Sequence, residues 1–500
     1  MDILYRNTRG IGEPIKASRA ILKGLAEGGG LYVPTVFPKL DKSVKELAEM
    51  DYRGVAYEVM KLFFTDYTEE ELRGCIARAY DDKFDTEEIA PLVEADHAYY
   101  MELFHGKTIA FKDMALSILP HLMTTAAKKN NQTDEIVILT ATSGDTGKAA
   151  LAGFADVSGT RIIVFYPKNG VSRVQELQMV TEKGKNTTVI GVLGNFDDCQ
   201  TGVKKMFTDE TLKADMAKRG MTFSSANSIN IGRLVPQVAY YVFAYTRLLK
   251  EERIKDGEAI NFVVPTGNFG NILACYYAKK LGLPVAKMIC ASNENKVLYD
   301  FFETGTYDMR RKFILTSSPS MDILISSNLE RLIYHSAGND AAKNAELMNQ
   351  LKTDGVYQIT GAMKQEMADF VPGFASETDT AEEIRMLYER TGYVIDTHTA
   401  VASSVYRSYR EKSGDITPTV IVSTASPFKF ARSVMSAVRG AEDKRDDFAI
   451  IDDLAKTANV AEPPAIREIR TAPVKHNTVC EIADMQKEVR GVLGIRKTEE

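Results

Sequence analysis

Residues 135–150 read EIVILTATSGDTGKAA, and this stretch decides the fold. A β-branched, apolar run (EIVILTAT, 135–142) gives way to a turn of small residues and then to helix-forming ones. That order predicts one strand, one turn and one helix. The glycines and lysine invite comparison with the phosphate loop of ATPases, which needs four residues between its glycines and a Ser or Thr after the lysine. Here only two residues lie between Gly144 and Gly147, Thr142 stands where the first glycine belongs, and Ala149 follows Lys148. The nucleotide reading fails. What survives is a turn rich in N–H and hydroxyl donors, suited to a smaller anion such as a carboxylate.

Outward from this unit the pattern repeats. TRIIVFYP (160–167) precedes the helical stretch VSRVQELQMVTEKG, TTVIGVL (187–193) opens a third unit, and MTFSSANSIN (221–230) leads into a long helix through VPQVAYYVFAYTRLLKEER. Such alternation with short loops predicts a parallel sheet covered by helices. INFVVPTGNFGN (260–271), PVAKMICASN (284–293) and TPTVIVSTASPFKF (417–430) predict a second parallel-sheet α/β domain, interrupted in the chain. The first 90 residues, with acidic runs such as YTEEELRGCIARAYDD, read as a mainly helical appendage. The expected division is 1–95 for the appendage, 135–234 for a small α/β domain carrying the carboxylate loop, and 96–134 with 235–500 for a large discontinuous one.

Composition excludes several classes. Five hundred residues, 44% of them apolar and 26% charged, describe an ordinary globular chain. A net charge of −6 favours no nucleic-acid partner. The five cysteines form no C-x-x-C pair, which argues against zinc and disulfides and fits a reducing cytoplasm. The opening MDILYRNTRGIGEP lacks the apolar core of a secretory signal, and no run approaches the roughly 20 apolar residues of a membrane helix. A cytoplasmic protein with neither membrane nor nucleic-acid partner is expected; monomer and homodimer stay equally open.

HGKTIAFKDMALSILPHLM (105–123) places Lys112 at the head of an apolar helical run. Scarce solvent and a positive helix terminus both disfavour an ammonium there, leaving a neutral amine able to attack a carbonyl. Taken alone, the segment reads sooner as a snorkelling surface lysine beside Asp113. PTGNFGN (265–271) lies between an apolar strand and a helix. Gly267 and Gly270 can take positive φ, and Asn268, Phe269 and Asn271 can offer amide donors at a helix start. Without G-x-x-x-x-G-K or an acidic ribose ligand, this turn suits a terminal monophosphate, although a plain strand–helix connection has the same look. A carbonyl-binding lysine, a monophosphate cradle and a carboxylate loop are the three parts that pyridoxal 5'-phosphate chemistry on an amino acid needs. A partner for the ring nitrogen is still needed; Thr424, after a buried strand, has a hydroxyl to offer, although by itself it reads as a plain strand-end threonine.

The chain as a whole resembles the threonine synthases, in the long form with an N-terminal extension. YRNTRG (5–10), GLAEGGGLYVP (24–34), HGKTIAFKD, TSGDTG (142–147), NSINIGR (227–233), PTGNFGN, SSPSMDILISSNLERL (317–332), DTHTAV (396–401) and STASPFKF (423–430) follow in that family's order. The resemblance implies a fold type II pyridoxal-phosphate enzyme, built like the tryptophan synthase β subunit, that converts O-phospho-L-homoserine and water to L-threonine and phosphate. It implies Lys112 as the Schiff-base lysine and Gly267, Asn268, Phe269, Gly270 and Asn271 around the cofactor phosphate, with Thr424 at its ring nitrogen. Ser143, Gly144, Asp145 and Thr146 would surround the substrate carboxylate and the cofactor's phenolic oxygen, and Asn227, Ser228 and Arg233 would meet the substrate phosphate. No metal is implied. Asn7, Gly28, Ile231 and Thr397 depart from the family's pattern. Two rivals remain at this point: a threonine or serine dehydratase of the same fold, which would not need Arg233, and a silent homologue, which would not need Lys112.

Overall fold

The structure is a computed structural model that describes residues 2–142 and 145–495. The strand Glu135–Ala141 lies inside a parallel sheet, between Thr160–Pro167 and Met221–Ser224. Its Ile136, Val137, Ile138 and Leu139 are all buried, as a strand covered by helices on both faces requires. Thr187–Val192 follows, and Val479–Cys480 closes the far edge, so that five parallel strands are aligned among the described residues. A second sheet runs in the order Phe370–Phe374, Val285–Ser292, Ile260–Pro265, Thr419–Ser423, Ala98–Glu102, Leu92–Ala95. It is parallel except for its last pair. Two parallel-sheet α/β bodies are therefore present.

Two features differ from the sequence reading. Residues 235–500 were expected in the larger body, but Val479–Cys480 pairs with Gly191–Val192 of the smaller sheet. The following helix Met485–Val492 buries Met485 and Val489 against the same core as Cys199, Val203 and Met206. A two-residue edge strand carries no periodicity to read. The appendage is also less purely helical than expected, because Leu4–Asn7, Ile15–Lys16 and Tyr32–Pro34 form an antiparallel sheet beside its helices.

The helix Ile231–Lys250 forms the spine. All of Ile231–Thr246 is buried, and the helix packs between Tyr52–Phe63 and Gly270–Leu281. Asn230 starts it, accepting the Gly232 N–H on Oδ1 at 2.9 Å, and so sets Arg233 in the first turn.

At the end of the strand Ala98–Glu102, His105 sits between Asp85 (Nδ1–Oδ1 2.6 Å) and Glu102 (Nε2–Oε2 2.9 Å). Burial alone would lower its pKa, but the two carboxylates more than reverse that and raise it to about 9. A raised imidazole pKa stabilises the fold fully below the unfolded value and loses that contribution as pH climbs through the folded one. Between pH 6 and pH 10 the wild type should lose about 2 kcal/mol more urea stability than His105→Gln.

Candidate active site

The loops at the C-terminal ends of both sheets supply the site, where parallel α/β sheets bind ligands. Lys112 is held beside Thr424 by main-chain bonds: the Phe111 N–H donates to the Thr424 carbonyl at 2.8 Å, and the Ser426 N–H to the Ile109 carbonyl at 3.0 Å. Ala110 and Ala425 form an isolated bridge. Ile109 takes φ 51° to make this turn, a conformation β-branched residues avoid, so local strain accompanies the lysine loop. Thr424 is 5% exposed.

The Lys112 side chain is 13% exposed, and its Nζ donates to Ser320 Oγ at 3.2 Å. Burial, opposed by Asp145 and reinforced by Lys429 and Arg233, brings its pKa down from 10.5 to about 8. Desolvation is therefore the main cause. The helix that follows, Asp113–Leu116, has four residues, too few for a strong terminal dipole.

Gly267–Asn271 turns from the strand Ile260–Pro265 into the helix Gly270–Leu281. The left-handed residue is Phe269, at φ 63°, and not Gly267 or Gly270 as the sequence suggested. Its ring packs against the stacked pair Phe302 and Phe370, which anchors the strained backbone. Gly267 is needed for closeness: a Cβ there would lie 2.7 Å from the Ser320 carbonyl oxygen. No side chain caps this helix, so its first N–H groups stay available to an anion. Asn271 accepts from the Tyr240 and Tyr241 hydroxyls, and its buried Nδ2 has no partner. An amine of depressed pKa, a bare helix start and an orphaned amide donor fit an aldehyde that carries a phosphate.

Across the site, Asp145 and Thr146 open the helix Asp145–Phe154; Ser143 and Gly144 lie outside the described residues. The Asp145 carboxylate meets Lys429 (Oδ1 3.1 Å), Ser320 (Oδ2 2.8 Å) and Lys112 (Oδ2 3.8 Å). Burial would raise its pKa, but Lys429 and Lys112 hold it well below the usual range. A second carboxylate would be repelled by that side chain, so only the Asp145 N–H is suited to an anion.

Arg233 is 3% exposed; Nη1 donates to the Ala226 carbonyl at 3.0 Å and Nε is buried without an acceptor. Burial lowers its pKa to about 10. Asn227 is exposed, and Ser228 Oγ donates to its Oδ1 at 3.2 Å. This loop is braced by Arg331, which is fully buried and donates to Tyr32 O (2.9 Å), Ile229 O (2.6 Å) and Asn328 Oδ1. Asn328 in turn donates from its main-chain N–H (3.1 Å) and Nδ2 (3.0 Å) to the Asn268 carbonyl. One guanidinium thus ties the appendage to both candidate phosphate loops. Arg331→Met, which leaves three buried acceptors without a donor, should cost about 3 kcal/mol in urea unfolding and weaken inhibition by inorganic phosphate.

Ser320, Lys429, His398 and Arg331 lie inside motifs noted in the sequence, yet no site role was assigned to them. Ser320 is 208 residues from Lys112, so no local spacing could signal it. The four departures are absorbed locally. Asn7 Nδ2 donates to the Ile11 and Glu27 carbonyls, and Gly28 takes φ 67°. Thr397 Oγ1 donates to the Ser317 carbonyl, and Ile231 is buried in the first turn of its helix.

This fold and site define a class: residues 85–426 match the family model of the pyridoxal-phosphate dependent enzymes, and the chain is a member. Residues 4–80 match the model for the threonine synthase N terminus and 399–472 that for the threonine synthase C-terminal part. The chain belongs to the threonine synthase family. Threonine synthase of Saccharomyces cerevisiae is 35% identical over 472 residues, covering 87% of this chain and 89% of that protein. Threonine synthase-like 1 of Pongo abelii is 40% identical over 435 residues, covering 84% of this chain but 58% of that protein, so the chain spans less than two thirds of that relative. The crystal structure of PLP-bound threonine synthase from Brucella melitensis superposes with a TM-score of 0.85 at 34% identity, covering 99% of this chain and all of that one. No helix among the described residues is long and apolar enough to cross a membrane.

Proposed function

We propose that this protein converts O-phospho-L-homoserine and water into L-threonine and phosphate, with pyridoxal phosphate held at Lys112. One observation carries the reading: Arg233, buried and with an Nε that has no acceptor among the described residues, lies close enough to Lys112 for its charge to lower the amine's pKa. A dehydratase substrate, which has no phosphate, gives that guanidinium nothing to bind. In this reading the 267–271 turn grips the cofactor phosphate and Thr424 faces the ring nitrogen. Ser143, Gly144, Thr146 and the Asp145 N–H receive the substrate carboxylate, while Asn227, Ser228 and Arg233 receive its phosphate.

Bound pyridoxal phosphate supplies a sink for the negative charge left when a proton departs from Cα. The Lys112 amine takes that proton onto Nζ and hands it back to the carbon framework of the bound substrate and cofactor; neutral again, it takes the Cβ proton and returns it to carbon once the phosphate has gone. Arg233 stabilises the departing dianion through charge-assisted donors that neutral residues could not match. The two bodies exclude bulk water until phosphate has left, since early hydrolysis would yield 2-oxobutyrate. Phosphate and threonine released in equal amounts from O-phospho-L-homoserine are the expected result. Formation of 2-oxobutyrate from threonine, with phosphohomoserine untouched, would overturn the reading in favour of a dehydratase.

A further inference from the structure

Asp145 lies between two buried amines, and its oxygens are shared unequally. Oδ1 takes Lys429 Nζ at 3.1 Å and Gln175 Nε2 at 3.4 Å. Oδ2 takes the Ser320 hydroxyl at 2.8 Å, leaving Lys112 Nζ at 3.8 Å. Ser320 Oγ stands between the two, accepting from Lys112 on one side and donating to Asp145 on the other.

Both intermediaries are firmly held. Lys429 is 1% exposed at its side chain and also donates to the Thr108 carbonyl at 2.9 Å. The Ser320 N–H donates to His398 Nε2 at 3.2 Å; that nitrogen is then an acceptor, so the His398 proton resides on Nδ1 and points to Asp396 Oδ2 at 2.8 Å. Ser320 therefore keeps its place beside the lysine through a buried dyad on a different element.

A carboxylate in direct contact with an amine favours its charged form, and an ammonium has no lone pair for a carbonyl or a carbon-bound proton. We infer that Lys429 and Ser320 are positioning residues that hold the Asp145 carboxylate off the Lys112 amine and so keep that amine reactive. This deepens the proposed function, since it rests on Lys112 being the amine that captures pyridoxal phosphate. The charged groups that act on Lys112 are Asp145, Lys429, Arg233 and Asp113; His398 would act on Asp145 only as an imidazolium and carries no charge in this tautomer. Of these, Lys429 alone both pairs with Asp145 and repels a proton from Lys112.

The test follows cofactor capture by cofactor-free protein between pH 6.5 and 10.5. Absorbance gives the rate, and borohydride trapping with peptide mapping gives the site. In the wild type the rate should rise with pH and level off above about 8, with the tag on Lys112. Lys429→Met should move the midpoint up by about one pH unit, slowing capture about tenfold at pH 7. Ser320→Ala should move it the same way by less, and Lys429→Arg should stay close to wild type. Asp145→Asn combined with Lys429→Met should bring the midpoint back to the wild-type value or below it. That reversal separates an electrostatic role from a merely structural one. An unmoved midpoint in folded, Lys112-tagged Lys429→Met protein overturns the inference, as does a double variant that keeps the upward shift. A wild-type tag on another lysine would instead sink the functional reading on which the inference stands.

Discussion

Lys112→Ala is expected to lower turnover of O-phospho-L-homoserine by about a thousandfold or more. In the proposed mechanism the same amine captures the cofactor and handles each proton, and the neighbouring amines are not free to replace it. Lys429 is committed to Asp145 and Thr108, and Lys148 to the Gln178 carbonyl. The fold should survive, because the substitution removes a partly desolvated cation whose protonated form burial already disfavours. The variant should therefore unfold at the wild-type urea concentration or higher while retaining no borohydride-fixed cofactor. A variant that still carried a covalent tag and released phosphate at a tenth of the normal rate would remove Lys112 from the mechanism.

The second large effect is expected at Arg233. Arg233→Met should reduce kcat/KM for the phosphorylated substrate by about a hundredfold to a thousandfold, the usual consequence of losing a charged donor to a developing anion. Inhibition by inorganic phosphate should weaken in parallel. Capture of pyridoxal phosphate at Lys112 should persist, with its midpoint slightly higher, because the guanidinium that helps depress the lysine is gone. These outcomes together distinguish a substrate-phosphate ligand from a structural arginine. Among the described residues the Arg233 guanidinium donates to the Ala226 carbonyl alone, so little of the fold depends on its charge. Unchanged phosphate inhibition in the variant would show that the leaving group binds elsewhere.

Much of the site could be read from local order along the chain. TSGDTG and PTGNFGN each join an apolar strand to a helix, and a strand–turn–helix unit places its turn at the C-terminal edge of a parallel sheet whatever the rest of the chain does. The apolar run after Lys112 marks it in the sequence, but not the cause of its lowered pKa. A helix was expected to depress the amine, whereas four helical residues provide little field and burial among distant segments supplies the effect. Likewise the glycines of PTGNFGN are the residues expected to bend the backbone, yet Phe269 bends instead, its ring packed against the stacked pair Phe302 and Phe370.

The sequence by itself determined the two α/β bodies, the strands that carry each loop and the kinds of side chain that meet there, since strand and helix periodicity and turn chemistry act over a few residues. Only the tertiary structure decided that Asp145 faces two lysines, that Ser320 stands between Lys112 and Asp145, that Arg331 braces both candidate phosphate loops, and that the strand Val479–Cys480 returns to the smaller sheet. Each of those facts depends on segments tens to hundreds of residues apart meeting within about 4 Å, where burial strengthens every charge and no local pattern records which partner will be there.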